Sequence, residues 1–299
     1  GGYAADLALG DPRRWHPVAG FGRAALALER AVYSPSRARG VLYATALVGV
    51  AALAGELLAR AARRAGLRGA GLVAVTWAAL GGRTLVREAE GVADHLERGD
   101  LDAARAALPA LVGRDVGGLD EGEICRAVVE SVAENTSDAV VGALFWGAVG
   151  GPAGVAAYRA ANTLDAMVGR RDERYDSFGW ASARLDDLMS LPAARGGAAL
   201  AAACAPLVGG SPNTTWEMVR RDGPAHPSPN AGRMEAAFAG ALGLRLGGPL
   251  AYAGHVEERA QLGDGRLPQT GDVRRAVKLS LAVGAAAAAT AALARGLLR

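Results

Sequence analysis

The chain has 299 residues, of which 51% are hydrophobic and 5% aromatic, and its mean hydropathy is +0.15. That is too apolar for an average soluble domain and too polar for a bare set of membrane spans, so apolar helices and polar blocks are expected to alternate. The 33 basic residues against 30 acidic ones leave a net charge of +3, and no dense Lys/Arg run with interleaved aromatics occurs, so nothing calls for nucleic acid as a partner.

Residues 3–28 contain Asp11-Pro12 and His16-Pro17. Two X-Pro bonds this close predict a turn-rich element, not a continuous helix. Asp11, Arg14 and His16 either meet a polar ligand there or serve turn chemistry. Val41–Leu58 carries a single charge, Glu56, and reads as a span. Arg60, Arg63, Arg64 and Arg68 follow, and a second apolar run from Gly69 to Val86 contains Arg83, so it is a short span or one whose end snorkels. From residue 87 to 137 the pattern is amphipathic and helical: Leu85, Val86, Ala89, Val92, Ala93 and Leu96, then a Gly99-Asp100 break, then Leu101, Ala104, Ala107, Leu108 and Leu111. Asp120 followed by Glu123 is a capping box for the next helix. On that helix Glu130, Glu134 and Asp138 recur every four residues and line one face. Three stacked carboxylates form either a solvated acidic face or a seat for a cation. They run straight into an apolar segment, where charge tends to be functional.

That segment, 139–158, is long enough to span but is interrupted at Gly150-Gly151-Pro152, where a kink is expected. Beyond it come Arg159, Asn162, Asp165, Arg170, Arg184, Asp186 and Asp187. Carboxylates for a metal and guanidinium forks for phosphate oxygens would suit a magnesium-phosphate ligand; the other reading is an internally neutralised solvated loop. Residues 196–210 are short for a span and read as re-entrant or half-helical. In His226-Pro-Ser228-Pro-Asn230 the prolines fix an extended loop that presents His226, Ser228 and Asn230 to a ligand, with Asn230 capping the helix from Ala231. A final apolar run, 279–294, reads as a membrane helix. Cys125 and Cys204 lack metal-ligand spacing and read as free structural thiols. No signal-peptide pattern is visible near Gly1, and no P-loop or dinucleotide fingerprint occurs.

These readings give an all-α, polytopic membrane bundle with large amphipathic helical loops. They give a single domain, 1–299, with spans near 41–58, 69–86, 139–158, 196–210 and 279–294. If the break at Gly150-Pro152 turns the chain back, the Glu130–Asp138 and Arg159–Asp187 motifs are expected to converge on one cavity.

Several long motifs in order resemble one family. They are Glu130-Ser-Val-Ala-Glu-Asn-Thr-Ser-Asp138; Tyr158-Arg-Ala-Ala-Asn-Thr-Leu-Asp165 behind Gly-Gly-Pro152; Phe178-Gly-Trp180 with Arg184-Leu-Asp-Asp187; and His226-Pro-Ser-Pro-Asn230 with Glu235. Gly10-Asp-Pro12, His16-Pro17 and Gly113-Arg-Asp115 match as well, and together these are similar to the adenosylcobinamide-phosphate synthase family (CobD/CbiB). Ser190 stands where that pattern has Asn, and Ala166 where Ser is common. The resemblance implies a multi-pass cell-membrane ligase of cobalamin biosynthesis. It would join aminopropanol phosphate, through its amine, to a carboxyl of the corrinoid adenosylcobyric acid, using ATP and Mg2+, beside late enzymes of the cobalamin pathway. With that reaction in view, Glu130, Glu134, Asp138 and Asp165 are expected to bind magnesium. Asp186 and Asp187 are expected to join them and, with His226, to carry catalysis. Asn135, Arg159, Asn162, Arg170, Arg184, Ser228, Asn230 and His16 are expected to bind substrates, the arginines through phosphate. The alternatives are a membrane prenyltransferase, for which a clear Asp-x-x-x-Asp pair on two equivalent helices is missing, and a scaffold or transporter of packed Gly/Ala helices.

Overall fold

Apolar runs of good helix formers make the long helices here, and they stop where Gly, Pro or a capping side chain gives the backbone another partner. The computed structural model describes residues 1–11, 16–170, 172–252 and 255–297, apart from the side chains of 249–252 and 255–258. Its helices are α1 (Gly2–Leu9), α2 (Pro17–Val32), α3 (Arg37–Arg64), α4 (Ala70–Ala79), α5 (Gly82–Glu97), α6 (Leu101–Ala107), α7 (Glu121–Asn135), α8 (Gly142–Val168), α9 (Trp180–Cys204), α10 (Pro212–Arg221), α11 (Ala231–Leu242) and α12 (Thr270–Leu297). A π-helical segment, Thr136–Val141, joins α7 to α8. The fold is the all-α bundle that the sequence predicts, with one antiparallel hairpin added, β1 (Leu246–Tyr252) against β2 (His255–Leu262).

Four helical stretches among the described residues are long and apolar enough to cross a membrane: Arg37–Arg64, Glu121–Val168, Trp180–Val208 and Thr270–Leu297. The run from 69 to 86 is instead two helices. α4 stops at Ala79, Leu80 turns extended, and the chain restarts as amphipathic α5. Apolarity continues across that break, so composition alone does not reveal it. The 196–210 run is the second half of a helix that begins at Trp180, which places Arg184, Asp186 and Asp187 on a helix and not in a loop.

Contacts divide the chain into two compact units. One is Gly1–Gly81 with Asp138–Pro192 and Ala288–Arg299; the other is Gly82–Ser137 with Ala193–Ala287. The sequence reads as a single domain because no linker marks the divisions after Ser137, Pro192 and Ala287, which fall within helical segments.

In the first unit α3 packs on α4 and α8. A Cβ on Gly55 would stand 2.7 Å from the Pro152 carbonyl oxygen, and one on Gly71 would stand 2.5 Å from Ala59 Cα, so these glycines set how closely the helices approach. Helix α8 kinks at Gly151 (φ 59°, ψ −151°) ahead of Pro152. Pro152 has no N–H for the Ala148 carbonyl. Arg295 Nη1 donates to the carbonyl oxygens of Gly147 and Ala148, at 2.9 and 3.1 Å. At the other end of α3, Tyr43 and Tyr33 pack on Phe178 with centroids 5.0 and 5.4 Å apart. Buried Glu29 accepts from Arg174 Nη2 and the Tyr175 hydroxyl, both at 2.9 Å.

In the second unit α7 packs on α5 and α11, and α10 pairs with α11. The capping box forms: Asp120 Oδ1 accepts from Glu123 N at 2.8 Å, and Asp120 N donates to Glu123 Oε2 at 2.9 Å. Asp222 holds the end of β2 in place, accepting from Gly263 N at 2.8 Å and from Arg221 Nε at 2.6 Å.

Two outcomes are expected. Gly71→Val places a branched side chain against Ala59 and should cost about 1–3 kcal/mol, seen as a lowered thermal midpoint in detergent. The Arg221 hydrogen bond, helped by Gly263 N–H, holds the Asp222 carboxyl below its ordinary value. Its stabilisation is therefore fully present above the unfolded aspartate value and is lost as pH falls through the lowered one. Asp222→Asn should flatten that acid limb when denaturation midpoints are measured against pH.

Candidate functional site

Each unit contains a polar cluster. In the second unit, α7 contributes Glu130 and Glu134 one turn apart, α11 contributes Glu235, the turn before α7 contributes Arg114, and β2 contributes Arg259. With Ser131 and Gly113 they line a cavity of about 230 Å³. Glu130 is a clamp. Its Oε2 accepts from Arg114 Nη2 at 2.9 Å and its Oε1 from Gly247 N at 2.9 Å, while Arg126 Nη1 donates to the Gly247 carbonyl. Both oxygens of this expected magnesium ligand are thus committed to holding a turn and the start of the hairpin. Glu134 is different: among the described residues it makes no hydrogen bond or ion pair, with Arg259 and Arg114 acting on it only through space. It is exposed, and its surface forms part of the cavity wall.

Glu235 is 3% exposed. Burial first, then the nearby Glu130 and Glu134, push its carboxyl well above the usual carboxylate range. His226 stands beside it, with Nε2 3.7 Å from Glu235 Oε1 and 3.3 Å from Arg259 Nη1. His226 Nδ1 accepts from Ser228 N at 3.0 Å. The loop carrying this histidine lies directly on α11, for a Cβ on Gly232 would meet His226 Cβ at 2.2 Å. Ser228 Oγ accepts from the N–H groups of Asn230 and Ala231 at 3.3 and 3.1 Å. Ser228 therefore opens α11, the role expected of Asn230, which sits buried at the cap position with no side-chain cap bond of its own. Asn135 folds back on its helix, donating to Ser131 O at 2.9 Å.

In the first unit α8 and α9 bring the second cluster together. Arg159 Nη1 donates to Asn162 Oδ1 at 3.1 Å, and Asn162 Nδ2 donates to buried Asp186 Oδ1 at 3.3 Å. Asp138, Asp11 and Asp186 all act on the Arg159 guanidinium electrostatically. Asp138 lies in the π segment, whose wider turn takes it out of the i, i+4 stripe that Glu130 and Glu134 share. Tyr158 is fully buried with its hydroxyl 3.4 Å from Ser190 Oγ. Gly142 is the residue that leaves room for this ring, since a Cβ there would stand 2.2 Å from it.

The remaining expected residues are more peripheral. Asp165 packs its carboxylate against Gly169 at the end of α8. Arg170 is exposed, 3.9 Å from Asp172 and over the Tyr175 ring. Arg184 pairs with Asp187 at 3.4 Å on the exposed side of α9. His16 caps α2, its Nδ1 accepting from Val18 N at 3.2 Å. Arg14 lies outside the described residues. Among the described residues no three His, Cys, Asp or Glu side chains come together as a metal site, so the carboxylates expected to bind magnesium do not build one protein cage. Magnesium commonly keeps most of its waters and takes one or two carboxylates plus substrate phosphates. Asp186, and separately Glu134, fit that lesser role.

Sequence reasoning assigned no role to Arg114, Glu235, Arg259 or Tyr158. The first, second and fourth sit in recognisable motifs, whereas nothing local marks Arg259, which reaches the cavity only through the hairpin.

Four membrane-length apolar stretches, with guanidinium and carboxylate groups buried among helices in each unit, define a membrane protein with polar sites built into its bundle. The chain belongs to the CobD/Cbib protein family, whose family model matches residues 1–280. It is 51% identical to the cobalamin biosynthesis protein CobD of Mycobacterium tuberculosis (strain ATCC 25618 / H37Rv) over 288 residues, covering 96% of this chain and 92% of that one. It is 44% identical to the protein of the same name in Pelobacter propionicus, covering 98% and 94%, and 42% identical to that of Rhodobacter capsulatus, covering 92% and 89%. No solved structure matches the chain.

The two glutamates on α7 should separate cleanly. Glu130→Ala strands buried Arg114 and should cost about 3 kcal/mol of folding stability. Glu134→Gln should stay within about 0.5 kcal/mol of the parent, as measured by denaturation in detergent.

Proposed function

We propose that this protein is a cell-membrane ligase of cobalamin biosynthesis. It joins the amine of aminopropanol phosphate to a propionate carboxyl of adenosylcobyric acid, with ATP and magnesium, giving adenosylcobinamide phosphate. The observation that carries the reading is the family match over residues 1–280, supported by relatives named for cobalamin biosynthesis at 42–51% identity.

A carboxylate does not accept an amine directly, because its poor leaving group and delocalised charge both resist attack. Transfer of the ATP γ-phosphoryl group to the corrinoid carboxylate gives an acyl phosphate and ADP. Attack by the neutral amine then forms the amide, releases phosphate and gives up one proton. Magnesium carried on the nucleotide phosphates supplies charge neutralisation when bound.

In this reading Arg159, kept in register by Asn162 and Asp186, meets phosphate oxygens whose charge grows during transfer. Exposed Arg170 and Arg184 gather phosphates at lower cost to the fold. Glu134, Glu235 and Arg259, around one small cavity, suit a molecule with an ammonium at one end and a phosphate at the other. His226 Nε2 is placed to pass on the proton that the amine must lose.

Purified protein in detergent, supplied with adenosylcobyric acid, aminopropanol phosphate, ATP and magnesium, should form adenosylcobinamide phosphate and ADP in equal amounts. Asp186→Ala should lower kcat at least about 100-fold while the protein remains folded. Normal turnover by that variant would remove Asp186 from the reaction, and no product from folded parent protein would sink the ligase reading.

A further inference from the structure

A third concentration of charge shares no residue with either cluster. In the first unit a cavity of about 490 Å³ is lined by Arg63, Arg68 and Arg295, with Gly69, Gly71 and Pro152 among its other walls and no acidic residue. Of the three guanidiniums, Arg63 donates to Glu56 at 2.9 Å, an acid it shares with Arg60 at 3.0 Å. Arg295 spends Nη1 on the kink carbonyls of α8, and its Nε is buried without a hydrogen-bond partner. Arg68 makes no hydrogen bond or ion pair among the described residues. The opening turn of α4 completes the wall, beginning at Gly69 with no side-chain cap. The positive end of that helix adds to the guanidiniums in favouring an anion.

Its depth and surroundings point to the kind of anion. Ala59 and Arg63 lie in the last turns of the apolar stretch Arg37–Arg64, and Arg295 in the last turn of Thr270–Leu297. Two membrane-length helices therefore end at this cavity, which sets it at headgroup level. Leu57, Leu58, Leu67, Leu293 and Leu297 are each more than half exposed along the same helix ends, giving an apolar flank beside a cationic hollow. Arginines at span ends also fix orientation without binding anything; three that converge on one concave site, with a single shared acid nearby, do more than orientation requires.

We propose that this cavity binds the phosphate headgroup of an anionic membrane phospholipid, held by Arg63, Arg68 and Arg295, with the acyl chains lying along the exposed leucines. The site is independent of the ligase reading.

The test uses the full chain reconstituted in phosphatidylcholine vesicles with a graded fraction of phosphatidylglycerol, extracted into detergent for native mass spectrometry and thermal unfolding. The parent protein should retain phosphatidylglycerol over phosphatidylcholine, and its thermal midpoint should rise with the phosphatidylglycerol fraction. Retention should weaken by about five-fold for each guanidinium removed, compounding in R63Q/R68Q, while R63K/R68K keeps most of it. Equal retention of the two lipids by the parent protein would overturn the proposal whether or not a variant folds. So would millimolar inorganic phosphate producing the whole thermal shift in phosphatidylcholine alone, since the site would then serve a soluble phosphate.

Discussion

Charge carried into an apolar helix bundle has to be answered from within the protein, because no bulk water is at hand to do it. That constraint accounts for several of the long-range polar contacts. Arg295 answers two carbonyls beside the α8 kink, Arg114 and the Gly247 amide answer Glu130, and Arg174 and Tyr175 answer Glu29. In each case the partner comes from a different element, so one polar group fixes the approach of two segments. The cost of leaving it unanswered makes the packing specific in a way that Ala- and Gly-rich helix faces alone would not.

Against that background the groups with fewest commitments are the informative ones. Glu134 faces its cavity with no bonded partner among the described residues, and Glu235 has His226 beside it, 3.7 Å away. On the other side Arg159 is tied to Asn162 through one of its terminal nitrogens. The cavity in the second unit combines carboxyl and guanidinium groups, whereas the first unit gathers aspartates around one guanidinium.

What the sequence made legible was local. Pro152 behind two glycines announces a kink, Asp120 and Glu123 announce a helix start, and the eighteen-residue run from Val41 to Leu58, with Glu56 its single charge, announces a span. What it hid was set at a distance. Glu130 looks like one of three stacked acids, and only Gly247, 117 residues away, shows that it is a clamp. The stripe it seemed to share with Asp138 depends on α-helical periodicity, which the π segment suspends. Asn135 and Ser228 look like ligand groups and are used by the backbone, because short polar side chains satisfy nearby amides and carbonyls first. The acids Asp186 and Asp187 seemed to sit in a loop, but helix formation tolerates a polar turn when the rest of the run is apolar.

The fastening of the α8 kink has a temporal side. The carbonyls of Gly147 and Ala148 are synthesised 148 and 147 residues ahead of the arginine that receives them. Until Arg295 leaves the ribosome, the Ala148 carbonyl ahead of Pro152 lacks the donor that the folded chain gives it. The bend is therefore a late-closing joint.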